Sequence, residues 1–173
     1  VKFTWLREFD CAVLDSDLSG FEPTIEVAKV VRARNGRVFF IGNGGSAAIA
    51  SHMSIDWLNK GKFAAMAFND GAALTCLGND YGYHHVFNNQ LRAHCRDGDM
   101  VFAISSSGNS QSIIVPALMA KGTATVVTLT GFAPDNMLRS MGDINFYVPS
   151  QSYGVVETAH LAILHAILDR LVD

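Results

Sequence analysis

Five short apolar runs, each separated from the next by polar turns or helix-length segments, constrain what this chain can fold into more than any other feature. They are Val38-Phe39-Phe40-Ile41, Ala64–Phe68, Met100–Ile104, Ala124–Leu129 and Ile144–Val148. A run that is apolar at consecutive positions suits a strand covered on both faces, the usual state of a strand in a parallel sheet. Helix-length segments lie between them at Ser46–Asn59, Val86–Cys95 and Ser110–Lys121, and roughly Val155–Val172 reads as a long closing helix. The alternation predicts a doubly wound α/β domain with a single five-stranded parallel sheet and helices on both faces.

Upstream of the first run the period is helical. Leu6, Phe9, Val13 and Leu14 share one face of an amphipathic helix expected over residues ~3–17. Asp15 to Gly20 is turn-like, and a second helix is expected with Pro23 in its first turn and Asn35-Gly36 closing it. Residues 1–36 are thus expected as a helical hairpin packed on the same domain, and 37–173 as the α/β domain itself.

Composition narrows the function classes. Of 173 residues, 49% are hydrophobic and 17% charged, a balance that excludes disorder. A net charge of −3 leaves no basic footprint, so no nucleic-acid partner is expected. No run of ~18 apolar residues is present, so no membrane partner is expected either. So few charges on a small body predict that much of the surface is hidden in subunit contacts. Cys11, Cys76 and Cys95 form no C-x-x-C pair, and the expectation is buried, reduced thiols. The first ten residues show no secretory pattern, so the cytoplasm is the expected compartment.

Ligands of open α/β sheets bind beyond the carboxyl ends of the strands. The first such loop is Gly42-Asn43-Gly44-Gly45-Ser46, followed by Ala47-Ala48 opening a helix. Its glycines let backbone N–H groups approach an anion at a helix N-terminus. Gly42-x-Gly44-x-x-Ala47 also fits a dinucleotide fingerprint, but the nearest acid, Asp70, lies beyond the usual ~20 residues. The second loop, Ser105-Ser106-Ser107-Gly108-Asn109-Ser110, offers four hydroxyls and helix amides. That set accepts a phosphomonoester without any Lys or Arg. No nucleotide cofactor is expected.

Two polar pairs stand out on otherwise apolar helices. His52 and Asp56 are spaced i,i+4, and Glu157 and His160 i,i+3, so each pair shares a helix face. Two imidazoles and two carboxylates suit zinc, which makes His52, Asp56, Glu157 and His160 the expected metal ligands. His165, five residues beyond His160, is expected to face elsewhere in a structural role. His84-His85 reads equally as a substrate contact or a solvated pair.

Gly42–Ala48, Gly78-Asn79-Asp80-Tyr81-Gly82-Tyr83 and Ser105–Ser110 together resemble a sugar isomerase (SIS) domain, and within it the phosphoheptose isomerases. The resemblance spans essentially the whole chain. It implies a flavodoxin-type sheet, a homotetramer with active sites between subunits, and conversion of sedoheptulose 7-phosphate to D-glycero-D-manno-heptose 7-phosphate. It assigns the sugar phosphate to Ser105, Ser106, Ser107 and Ser110, with Asn43, Gly44 and Ser46 also at the substrate and Asp80 as a clamp. It implies Asp56 and His160 as the proton-transfer pair, with Glu157 a metal ligand or a substitute base. Here Asp56 replaces a family Glu, Glu157 a Gln, Lys60 an Arg and Ser152 an Asp. A non-catalytic SIS regulator of the replication-initiator-binding kind, and an isomerase of another sugar phosphate, are the alternative readings.

Overall fold

Side chains on a strand alternate between faces, so each apolar run must feed two cores at once. In a computed structural model, which describes residues 4–173, this is what the runs do. The strands are β1 (Arg37–Gly42), β2 (Ala64–Ala67), β3 (Met100–Ser105), β4 (Thr125–Thr130) and β5 (Ile144–Tyr147). They form one parallel sheet in the order β2-β1-β3-β4-β5. Val38, Phe40, Met100, Phe102, Ile104, Val127 and Leu129 point into one core, and Phe39, Ile41, Val101, Ala103 and Val126 into the other.

The helices are α1 (Thr4–Leu14), α2 (Phe21–Ala33), α3 (Gly45–Asn59), α4 (Gly71–Tyr81), α5 (Val86–His94), α6 (Gln111–Ala120) and α7 (Tyr153–Val172), with a 3₁₀ turn at Tyr83–His85. The first core lies under α2, α3 and α7, with α1 packed on α7. The second lies under α5 and α6. Trp57 of α3 anchors the first, with its ring against Phe40, Phe63 and Phe102. Among the described residues no helix is long and apolar enough to cross a membrane.

Boundaries fall within two or three residues of expectation, with three differences. The start of the first helix expected at residue 3 lies outside the described residues, and α1 ends at Leu14 rather than 17. There Ser16 Oγ donates to the Ala12 carbonyl and stops the helix. The Gly78-Asn79-Asp80-Tyr81 stretch belongs to α4, a helix absent from the segments read from the sequence, which Asp70 caps by accepting from Ala73 N at 2.9 Å. Of the three cysteines expected to be buried, only Cys95 is; Cys11 and Cys76 sit on the solvent faces of α1 and α4.

Phe40 is fully buried, stacked on Phe102 with ring centroids 4.8 Å apart. Phe40→Ala should destabilise the fold by ~3–5 kcal/mol, read from urea unfolding.

Candidate active site

In an open parallel sheet a crevice forms where the strand order reverses, beyond the carboxyl ends of the two strands concerned. Here those strands are β1 and β3. A cavity of about 230 Å³ opens between them. Asn43, Gly44, Gly45 and Ser46 line it from the β1 side, Ser105, Ser106, Ser107 and Ser110 from the β3 side, and Tyr153 and Glu157 from α7.

Among the described residues, those that line the cavity form an anion cradle without a cation. Gly44 precedes α3 and Ser110 precedes α6, and neither helix has a side-chain cap. The first two amides of each helix, at Gly45 and Ser46 and at Gln111 and Ser112, are therefore open to a ligand. Ser105 Oγ lies 3.4 Å from Ser110 Oγ, and Ser107 Oγ accepts from Asn109 N at 3.3 Å. Ser106 Oγ is buried with no hydrogen-bond partner among the described residues. Such an orphaned hydroxyl costs ~1–3 kcal/mol, which an incoming acceptor oxygen would offset.

Glu157 closes the cavity on the α7 side. Its carboxylate rests against Gly45, where a Cβ would overlap both oxygens, so a side chain at the first residue of α3 would push the carboxylate out of its present place. Burial raises the Glu157 pKa above its ordinary value, because a desolvated carboxylate prefers its neutral form.

A second polar group lies further along the seam between α3 and α7. His52 Nε2 is 3.1 Å from His165 Nε2 and 3.4 Å from Asp56 Oδ2, while His165 Nδ1 is 3.8 Å from the same carboxylate oxygen. One ligand atom from each of the three lies within 4.8 Å of the others. Two imidazoles and a carboxylate are a donor set that fits a divalent metal of the zinc type. At ~1.5 Å per residue, His165 lies roughly 12 Å along α7 from Glu157.

This geometry corrects the expected ligand set. His160 is fully buried, with Nε2 3.1 Å from the Thr130 carbonyl oxygen, and it takes no part in the cluster. His165, expected to face elsewhere, stands there instead. Five residues at ~100° each do put the two rings roughly 140° apart around the helix. Spacing alone says nothing about which of the two meets α3. Glu157 joins the serine cavity, so one chain does not gather His52, Asp56, Glu157 and His160 at one point.

Asp80 stands apart from the cavity of the single chain. It lies on an exposed part of α4, accepting from Asn79 Nδ2 at 2.9 Å, and does not line the cavity. His84 and His85 pack ring to ring, 4.2 Å between centroids, and also stand outside it. Tyr153 was missed, although its i,i+4 spacing from Glu157 put both on one face of α7.

The SIS domain family matches residues 12–131. The chain belongs to that family. A phosphoheptose isomerase of Rhodospirillum rubrum is 33% identical over 98% of this chain and 90% of its own length. One from Neisseria meningitidis is 34% identical over 86% and 81%. Among solved structures, a phosphoheptose isomerase from Neisseria gonorrhoeae superposes with a TM-score of 0.82 at 33% identity, covering 89% of this chain and 86% of that one. Another from Francisella tularensis reaches 0.87 at 25% identity, covering 98% and 93%. This SIS chain is therefore a member of the phosphoheptose isomerase group.

Burial pushes the His160 pKa from 6.5 down to about 4, partly opposed by its bond to Thr130. The unfolded chain protonates near the ordinary value while the folded one does not, so the full contribution is present above pH ~6.5. Stability should fall as pH drops from there towards 4, by on the order of 3 kcal/mol in all. Urea titrations should show this slope in the wild type and a flatter one in His160→Gln, which cannot titrate.

Proposed function

We propose that this chain is a phosphosugar isomerase that converts sedoheptulose 7-phosphate to D-glycero-D-manno-heptose 7-phosphate through an enediol. The observation that carries the reading is the serine loop at the switch point, with the Ser106 hydroxyl buried and unpartnered among the described residues. The phosphate takes hydrogen bonds from Ser105, Ser106, Ser107 and Ser110 and from the first amides of α6. The names of the relatives supply the substrate class, a phosphoheptose.

The sugar leaves the serine loop past Glu157 and Gly45 and extends along the α3–α7 seam. Moving a proton between adjacent carbons needs a base at carbon and an acid at oxygen. Asp56 takes the first role, and His165, in the place expected for His160, takes the second. Glu157, its pKa raised by burial, is suited to holding a proton against a sugar oxygen. His52, Asp56 and His165 would hold zinc, which when bound would stabilise negative charge on the enediol oxygen.

The oligomer is proposed as a homotetramer. An apolar groove between α1, α2 and α7 is lined by Val13, Leu18, Phe21, Ala159, Ala162, Ile163 and Ala166. Leu14, Ile55 and Leu58 stand exposed on α1 and α3. Light scattering should give the mass of four chains at micromolar concentration; a stable monomer would refute the tetramer.

Turnover of sedoheptulose 7-phosphate should be measurable, fall on chelation, and drop about a hundredfold or more in His165→Ala. An enzyme indifferent to that change would sink the assignment. Ser106→Ala should act in two directions. Loss of an unsatisfied hydroxyl should raise stability by up to ~1 kcal/mol, while affinity for inorganic phosphate falls about tenfold. Calorimetry and thermal unfolding of one variant check both.

A further inference from the structure

Residues 70–85 carry α4 and the 3₁₀ turn, and none of them is buried. Among the described residues, their side-chain hydrogen bonds stay within the segment with one exception. Tyr83 Oη donates to Asn43 Oδ1 at 3.0 Å. Asn43 stands in the β1 loop and lines the serine cavity. Its own Nδ2 donates to Ser112 Oγ at 2.8 Å.

The backbone is built to deliver this contact. Gly82 ends α4 with φ 83° and ψ 149°, a region closed in practice to residues with a Cβ. A Cβ there would also come within 3.0 Å of the His84 ring. The turn starts immediately after Gly82 and sets Tyr83 over the β1 loop.

An Asn carboxamide presents donors on one side and an acceptor on the other, and a half-turn of the side chain exchanges them. Ser112 does not select between the two, because a hydroxyl serves as donor or acceptor. A phenol is the better donor, and its position against Oδ1 selects the orientation that keeps Nδ2 on Ser112. We infer that Tyr83 is a positioning residue, fixing the Asn43 carboxamide so that the cavity offers the sugar a set pattern of donor and acceptor. The phosphate, held by the serine loop, does not sense it. The sugar's identity rests on the isomerase reading above; the Tyr83–Asn43 contact does not.

The test is a cycle of Tyr83→Phe and Asn43→Ala. Tyr83→Phe removes one oxygen from a half-exposed ring and should leave thermal unfolding unchanged. The dissociation constant for sedoheptulose 7-phosphate should rise about three- to tenfold, the range set by one neutral hydrogen bond. That for inorganic phosphate should stay within about twofold, well inside that range. In an Asn43→Ala background Tyr83→Phe should have no further effect. Without ligand, the ¹⁵N-labelled Asn43 side-chain NH₂ pair should shift and broaden in Tyr83→Phe. The inference is overturned by an unmoved NH₂ pair, by equal losses for both ligands, or by a full Tyr83→Phe effect in the Asn43→Ala background. If the wild type does not bind sedoheptulose 7-phosphate, the isomerase reading fails, and the NH₂ signature alone decides for or against Tyr83.

Discussion

The close approach of α3 to α7 is the constraint on which the site depends. At its upper end the Glu157 carboxylate lies where any side chain on Gly45 would be, so the two helices meet there without a spacer. Further down, the same proximity brings His52 and Asp56 to His165. Underneath, Ile49, Ala50, Met53 and Trp57 of α3 and Val156, Ala159, Ile163 and Leu164 of α7 share one core with β1 and β3. Two polar sites on one seam are thus held at a fixed separation by a continuous apolar contact. The Lys60–Asp169 pair at the outer end, 2.8 Å apart and exposed, adds little by comparison.

A second junction ties this seam to the phosphate cradle. The Thr130 carbonyl accepts from Val148 N at 2.9 Å and from His160 Nε2 at 3.1 Å. Its neighbour Gly131 donates to the Ser106 carbonyl at 2.9 Å. One dipeptide at the end of β4 therefore joins β5, α7 and the serine loop. His160 is the α7 member of that joint. Its Nε2 must carry the proton to serve as donor, which leaves Nδ1 deprotonated, and Nδ1 is buried without a partner among the described residues. The ring that sequence spacing placed among the reacting groups anchors the helix that carries them.

The sheet was legible because buried parallel strands must be apolar at consecutive positions, and the five runs with that pattern are short and alternate with helix-length segments. The two strand-end loops were legible because glycine and serine clusters at those places have few other uses. The errors share a physical origin. His160 and His165 lie on different faces of α7, and which face meets α3 depends on how a 20-residue helix rotates over the sheet. No local spacing encodes that rotation. The helix that carries Asp80 was not legible because Gly78 and Gly82 interrupt its pattern, whereas the Asp70 cap starts a helix that runs through Gly78 and stops at Gly82. Tyr83 stands in the Gly78–Tyr83 motif, but nothing local marks it as a partner of the β1 loop. Its hydroxyl matters only because the fold brings it to Asn43, 40 positions earlier.

The histidine cluster has a proton economy that follows from its geometry. His52 Nε2 and His165 Nε2 are 3.1 Å apart, a distance at which one must donate and the other accept. Asp56 Oδ2 stands 3.4 Å from His52 Nε2 and 3.8 Å from His165 Nδ1, so one carboxylate oxygen faces both rings. A divalent cation, if bound, would be held by one nitrogen of each ring and the Asp56 carboxylate, and would relieve the competition of the two rings for one hydrogen. Shortening the α3 acid to Asp matters in this setting. With one methylene fewer, Asp56 stays within reach of both rings while its second oxygen remains outside the contacts that hold them. On the isomerase reading proposed above, that oxygen is the one to which the base role of Asp56 falls.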